Sequence, residues 1–147
     1  MMQDYEKERW FRLLSFADHY HFGSLWYLRE TLLKRRFVGY DANSTRIGHP
    51  GVSISQNRFN SLQDTVKMLI GSSRRRGRAF TATGVFPNSP PETKTYFQTM
   101  RPVSVLPEDF FPQDGAAPEV MRNDHKPHLT ETEKAGLKKM LRKGGRR

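Results

Sequence analysis

The feature that most constrains this fold is a series of short β-prone runs, separated by turn residues, in the middle of the chain. The runs lie at residues 36–41, 51–56, 65–70, 78–83, 95–99 and 102–106. Short apolar or β-branched runs bounded by Gly, Pro, Asn and Asp are typical of strands. Six short strands at this spacing predict a small antiparallel barrel or a strongly curved sheet.

Helical patterns flank this β-rich region. In residues 1–36, apolar residues recur three and four positions apart on both sides of Gly23, namely Trp10, Leu13, Leu14, Ala17, Leu25, Leu28 and Leu32. This spacing predicts two short helices, with Ser24 as the N-cap of the second. Their apolar and aromatic side chains are interpreted as packing surface, since such spacing is the ordinary signature of packing.

The C-terminal third predicts a linker and one more helix. Residues 113–129 are rich in Pro, Gly, Ala and charge, which is typical of a linker. Thr130 and Glu133 match a capping box, which predicts a helix of about ten residues that ends before Gly144 and is followed by a basic tail. The expected fold class is therefore α+β and mainly β.

The expected organisation is a single domain with appended elements, because 147 residues leave room for one modest core. Its parts are an N-terminal helical segment (1–36), a small antiparallel barrel (37–112), a linker (113–129) and a C-terminal helix with a basic tail (130–147).

Net charge points to a polyanionic partner. The chain has 25 Lys and Arg against 15 Asp and Glu, a formal charge of +10. Charge of this size bears on partners rather than on fold. Nucleic acid is the first candidate, followed by an anionic membrane surface or an acidic protein.

Composition also excludes several classes of protein. The chain has no cysteine, which rules out disulfides, thiolate catalysis and Cys-based metal centres. No apolar run approaches the length of about 20 residues that spans a bilayer, and the N-terminus does not read as a signal peptide. We therefore expect a cytoplasmic protein.

Positive charge is most concentrated in a loop between two predicted strands. The arginines there are Arg74, Arg75, Arg76 and Arg78, flanked by glycine and serine. Guanidinium groups bind phosphate oxygens through paired donors, and four so close together repel one another unless an anion is nearby. We therefore interpret the cluster as a loop that contacts a nucleic-acid backbone. The alternative interpretation is a solvated hairpin tip, which the clustered charge favours less.

Other charged and titratable groups give weaker signals. Positive charge is favourable near the C-terminus of a helix because of the helix dipole. The basic residues of the C-terminal helix are therefore assigned no role beyond nonspecific attraction. Histidine pairs without cysteine or well-placed carboxylates make a weak metal site. His49 precedes Pro50 where a turn enters a strand, and an imidazole there could exchange a proton near neutral pH, although a surface turn histidine is the simpler interpretation.

The order of segments in the central region resembles that of the MazF/PemK/Kid family of toxin ribonucleases from bacterial toxin–antitoxin pairs. Three blocks carry the resemblance: GHPGVSISQN is similar to the family's basic residue, proline and hydrophobic strand; VKMLIGSS to its strand that ends in a small hydroxyl residue; and RPVSVLPEDFF to its late strand and short helix. Together they cover about residues 37–111.

The resemblance implies an SH3-like barrel, usually a homodimer, that cleaves single-stranded RNA without a metal or other cofactor and pairs with an acidic antitoxin. It places His49 where the family has a catalytic arginine, with Arg46 three residues earlier. Gly71 stands near the family's threonine or serine, so the hydroxyl role falls to Ser72. The arginine cluster would hold the RNA backbone.

Three hypotheses follow. The first is a metal-independent endoribonuclease, the toxin of a type II toxin–antitoxin pair. The second is a non-catalytic RNA- or DNA-binding module on the same small basic β-barrel. The third is an interaction protein whose aromatic N-terminal helices dock a partner.

Overall fold

The chain forms a mainly β structure. The computed structural model describes residues 22–36, 48–55, 66–75, 77–99, 102–106, 109 and 118–145. Within them, seven strands form one antiparallel sheet accompanied by two helices. In chain order the elements are β1 (Leu25–Arg29), α1 (Glu30–Arg36), β2 (Gly48–Ser53), β3 (Val66–Ser72), β4 (Ala79–Thr83), β5 (Lys94–Gln98), β6 (Val103–Val105), β7 (Val120–Arg122) and α2 (Glu131–Gly145).

Strand β3 organises the sheet. The strand order is β4-β5-β3-β2-β1-β7, and β6 pairs with β3 outside this path. The first part of β3 pairs with β6 (Val66↔Val105), and its end pairs with β5 (Gly71↔Phe97). Among the described residues β4 and β7 do not pair with each other, so the sheet is not closed and the predicted barrel is not confirmed.

The two faces of the sheet carry separate hydrophobic cores, because successive side chains of a strand point to opposite faces. On one face α1 covers the α1 core, which contains Trp26, Leu28, Leu32, Leu33, Val66, Met68, Ile70, Val103, Val105 and Val120. On the other, α2 and the β4–β5 hairpin enclose the α2 core, which contains Leu25, Val52, Leu69, Phe80, Ala82, Val85, Phe97, Leu129 and Leu137.

Strand β1 corrects the prediction of a second helix that begins after Ser24. Leu25–Arg29 is extended and pairs with β2 and β7, and the helix α1 begins only at Glu30. Leu25 lies in the α2 core and Leu28 in the α1 core. A strand buried on both faces is apolar at most positions, so its sequence cannot be told from that of a buried helix by periodicity alone. The first predicted helix lies outside the described residues.

The segment predicted as a linker contains the edge strand β7, which is a second correction. Val120 pairs with Leu28. The turn that follows is held by Asn123, whose Nδ2 donates to the carbonyl of Val85 at 2.9 Å and whose Oδ1 accepts from the backbone N–H of His125 at 3.1 Å. Three residues are too few to produce an alternation pattern in the sequence, which is why composition alone suggested a linker.

The other strand predictions are largely confirmed. Strands β3, β4, β5 and β6 lie within one or two residues of the runs at 65–70, 78–83, 95–99 and 102–106, while β2 begins at Gly48 rather than at residue 51. In the run predicted at 36–41, Arg36 ends α1 and residues 37–41 lie outside the described residues.

The capping box at the start of α2 is also confirmed. The backbone N–H of Glu133 donates to Oγ1 of Thr130 at 3.1 Å, and the N–H of Thr130 donates to Oε1 of Glu133 at 2.9 Å. The helix has 15 residues and extends to Gly145, so it is longer than expected.

Candidate nucleic-acid interface

The loop between β3 and β4 presents the described arginines of the cluster to solvent. Arg74 and Arg75 are exposed, and Arg76 lies outside the described residues. The Ser72 hydroxyl donates to the carbonyl of Arg74 at 2.6 Å and accepts from the N–H of Arg74 at 3.3 Å. This short ring of hydrogen bonds orders the start of the loop. Gly77 lies in the left-handed region with φ of +61° and open space around it, which lets the loop turn back into β4.

Arg78 joins the loop to α2. Its guanidinium Nη2 donates to the carbonyl oxygen of Met140 at 3.2 Å, while Phe80 in β4 lies beside Gly136 of the same helix. Exposed basic side chains on this helix include Lys139. We call the exposed set Arg74, Arg75, Arg78 and Lys139 the basic edge. Arg78 and Lys139 are 61 residues apart in the sequence, and the packing of α2 on β4 brings these two parts of the basic edge together.

The register of the sheet relates the two candidate catalytic residues that the structure describes. Gly51 of β2 pairs with Ile70 of β3. The pairing of β2 with β3 ends at this pair, and alternation along each strand places His49 and Ser72 on the same sheet face as Gly51 and Ile70. His49 pairs with Leu28 of β1. Both His49 and Ser72 are partly exposed. Arg46 lies outside the described residues.

Gly71 and Ser72 lie on opposite faces of β3. A Cβ at Gly71 would meet Cε1 of Phe97 at 2.8 Å and Cγ2 of Thr95 at 2.9 Å, so this position is filled by its neighbours in β5 and has no space for a hydroxyl side chain. The hydroxyl of Ser72 belongs to the face that carries His49. A serine one position later is therefore not equivalent to a serine at position 71.

The structure adds a residue that sequence reasoning missed. Tyr96 of β5 pairs with Ser72 on one side and with Thr81 of β4 on the other. It therefore shares the face of Ser72 and is partly exposed there. The signal was present in the alternation of Thr95, Tyr96 and Phe97, whose first and third members are buried. Only the pairing of β5 with the end of β3 shows that the middle residue lies beside the basic loop.

The best-connected ionic cluster of the described residues serves the fold. The Arg35 guanidinium contacts the buried carboxylate of Asp109 at 3.0 Å and that of Glu119 at 2.7 Å, and Thr31 also donates to Glu119 at 3.0 Å. The pKa of Arg35 is raised, mainly by its hydrogen bond to Glu119. These contacts attach α1 to Asp109 and Glu119, and the two carboxylates share one cation.

The described ranges hold neither a cluster of metal ligands nor a membrane-spanning helix. No group of three or more His, Asp or Glu side chains there is placed to hold a metal ion. None of the helices in those ranges is long and apolar enough to cross a membrane.

Comparison with known proteins does not add a relative. No protein-family model matches the chain, and no curated protein matches it significantly.

Proposed function

We propose that this protein is a metal-independent endoribonuclease of single-stranded RNA and the toxin of a type II toxin–antitoxin pair. The observation that carries the proposal is that alternation puts His49 of β2 and Ser72 of β3 on one face of the sheet, with Ser72 at the start of the loop that holds the exposed arginines. A proton-moving group, a hydroxyl donor and phosphate-binding cations are the parts that such a reaction needs.

The proposed chemistry is an internal transfer within RNA. The ribose 2′-oxygen attacks the adjacent phosphorus, the bond from phosphorus to the 5′-oxygen of the next nucleotide breaks, and a 2′,3′-cyclic phosphate results. His49 takes the proton of the 2′-hydroxyl, because a neutral imidazole is a base near pH 7. The leaving 5′-oxygen takes up a proton from an acid, a role we give to Arg46 or water. Ser72 and the arginines stabilise the charge on the phosphorane.

The same proposal includes the finer architecture and the partners. We propose that the sheet curls into an SH3-like barrel around the α2 core, which is supported by the way β3 pairs with β6 at its start and with β5 at its end. The protein acts as a homodimer in the cytoplasm, and an acidic antitoxin neutralises the basic edge. The net charge of +10 supports an acidic partner.

The test is cleavage of a long single-stranded RNA in EDTA. We expect wild type to cut, and His49→Ala, Arg46→Ala and Ser72→Ala each to cut at least about tenfold more slowly, as loss of general acid–base or oxyanion stabilisation does elsewhere. Ser104→Ala, which alters an exposed serine on β6, is the matched control and should cut like wild type. The assignment is overturned if wild type does not cut the RNA. It is also overturned if the three site variants cut as fast as the Ser104→Ala control.

A second function is favoured by one specific contact. The Ser72 hydroxyl is already engaged with the backbone of Arg74, at 2.6 Å to its carbonyl. If that bond persists with RNA bound, Ser72 shapes a phosphate-binding loop and takes no part in chemistry. The protein is then a non-catalytic nucleic-acid-binding module, for which we expect steeply salt-dependent binding and unchanged RNA length.

A further inference from the structure

The β4–β5 hairpin has one face in the core and one face outside it. Phe80 and Ala82 of β4 and Phe97 of β5 are buried in the α2 core. The alternate positions carry polar side chains that are exposed or partly exposed, namely Thr81, Thr83, Lys94, Tyr96 and Gln98. The pairs Thr81↔Tyr96 and Thr83↔Lys94 place these side chains next to one another across the two strands.

Tyr96 is the one aromatic side chain on this outer face of the hairpin. It lies between Thr81 and Ser72 across the strands, so the basic loop that follows Ser72 begins directly beside it. Lys94, two residues earlier on the same strand and face, adds an exposed positive charge. An aromatic ring bordered by hydroxyl groups and cations is the composition of a stacking platform for single-stranded nucleic acid.

We propose that Tyr96 stacks on a base of the single-stranded RNA whose phosphates bind Arg74 and Arg75. This inference depends on the proposed function for the identity of the ligand. Its physical basis is that unpaired bases expose a π-face, which stacks on an aromatic side chain whatever the base, while adjacent cations follow the backbone. Tyr96 thus fixes one nucleotide beside Ser72, on the sheet face that also carries His49, and Thr81 and Gln98 lie where they can contact base edges.

A purely structural role for Tyr96 makes a different prediction. In that case the ring only packs across the strands on Thr81, as aromatic and β-branched pairs commonly do. Its removal would then lower stability and leave the environment of a bound base unchanged. The readout of the experiment is therefore a signal from the base itself.

The experiment uses an oligouridine with 2′-O-methyl groups, which cannot be cleaved, and with one 2-aminopurine whose fluorescence is quenched on stacking. The full-length protein is titrated as wild type, Tyr96→Phe and Tyr96→Leu. We expect Tyr96→Phe to keep both the quenching and the affinity, within about twofold. Tyr96→Leu should lose the quenching and bind about tenfold more weakly, with an unchanged salt dependence, because the phosphate contacts remain. Tyr27 of β1 lies on the same sheet face as Leu25 of the α2 core, opposite to the face of Tyr96, so Tyr27→Leu should leave the quenching intact.

The outcomes separate the two proposals. If Tyr96→Leu binds and quenches like wild type, the stacking inference is wrong while RNA binding by the arginines stands. If wild type binds no oligonucleotide, the proposed function fails and the inference with it. Should Tyr96→Leu not fold, photo-cross-linking of wild type to a 4-thiouridine oligonucleotide decides the matter, since the inference requires the adduct to map to Tyr96, and an adduct elsewhere overturns it.

Discussion

Lys126 lies with its ammonium nitrogen 2.8 Å from Oε1 of Glu133, and both side chains are mostly buried. The same ammonium donates to the carbonyl of Thr83 at 2.5 Å, and the N–H of Thr83 donates to Oε2 of Glu133 at 3.3 Å. One ion pair therefore links the turn after β7, the end of β4 and the first turn of α2. It fixes the helix that carries part of the basic edge.

Removing the carboxylate should loosen this junction. Glu133→Gln is expected to lower the free energy of unfolding by about 2 kcal/mol, because it leaves a mostly buried ammonium without its anion and weakens the capping box. Glu131→Gln is the matched control, since Glu131 lies in the same turn but is 92% exposed, and it should leave stability nearly unchanged. Urea unfolding at pH 7 measures both. Equal effects of the two variants would contradict the role given to the ion pair.

The same group gives a pH dependence of definite sign. Burial raises the pKa of Glu133, but its hydrogen bonds with Lys126 and Thr130 outweigh this effect, so the pKa lies below its ordinary value of 4.5. A carboxyl whose pKa is lowered by folding stabilises the fold fully above its unfolded pKa, and this contribution is lost as the pH falls through the folded value. The stability difference between wild type and Glu133→Gln should therefore be constant near neutrality and shrink below about pH 4.5. A difference that grew on acidification would contradict this assignment.

Gly71 should not tolerate a side chain. Gly71→Ala is expected to destabilise the protein by about 1–3 kcal/mol, because the new methyl group would overpack the contact with Phe97 and Thr95. Gly136→Ala in α2 makes the same chemical change where the new Cβ meets Phe80 at an ordinary 3.7 Å, and should stabilise by about 0.5–1 kcal/mol. Thermal unfolding of both variants checks the opposite signs. A neutral Gly71→Ala would show that the β3–β5 contact is looser than described.

Arg75 should contribute to nucleic-acid affinity through charge alone. Arg75→Ala is expected to weaken binding to single-stranded RNA and to reduce the slope of log K against log salt by about 0.7, the value for one lost phosphate contact on a single strand. Lys34→Ala removes an equal charge from α1 and is the control. Fluorescence anisotropy over a salt series measures the slopes. If both substitutions reduce the slope equally, net charge rather than the loop determines binding.

Arg78 should act mainly on α2. Arg78→Ala is expected to lower the free energy of unfolding by about 0.5–1 kcal/mol and to speed hydrogen exchange in the last turns of α2, because the guanidinium no longer binds the carbonyl of Met140. Arg75→Ala, in the same loop but without such a contact among the described residues, should leave exchange in the helix unchanged. Unchanged exchange in Arg78→Ala would mean that the basic loop and the helix are not coupled.

Several parts of this structure follow from local sequence. Strands β3 to β6 are recognisable because each is a short β-prone run bounded by turn residues. The start of α2 is recognisable because Thr130 and Glu133 satisfy each other's backbone groups within four residues. The basic loop is explicit in its composition. These features depend on interactions between neighbours in the chain, and they required no knowledge of the tertiary fold.

Other parts are decided by contacts between distant residues. Leu25 and Leu28 fit a helix or a strand equally well, and pairing with Val52 and His49 of β2 makes the segment extended. Val120 joins the sheet only because β1 offers a free edge.

The sequence by itself therefore determined a mainly β, strongly basic protein with one arginine-rich loop and a capped C-terminal helix. The tertiary structure alone decided that Ser72 shares a face with His49 and Tyr96, that Gly71 has no space for a hydroxyl, and that Arg78 reaches Met140. The reason is physical. Side-chain direction in a strand depends on register, and register is set by cross-strand pairing that no local pattern of residues specifies.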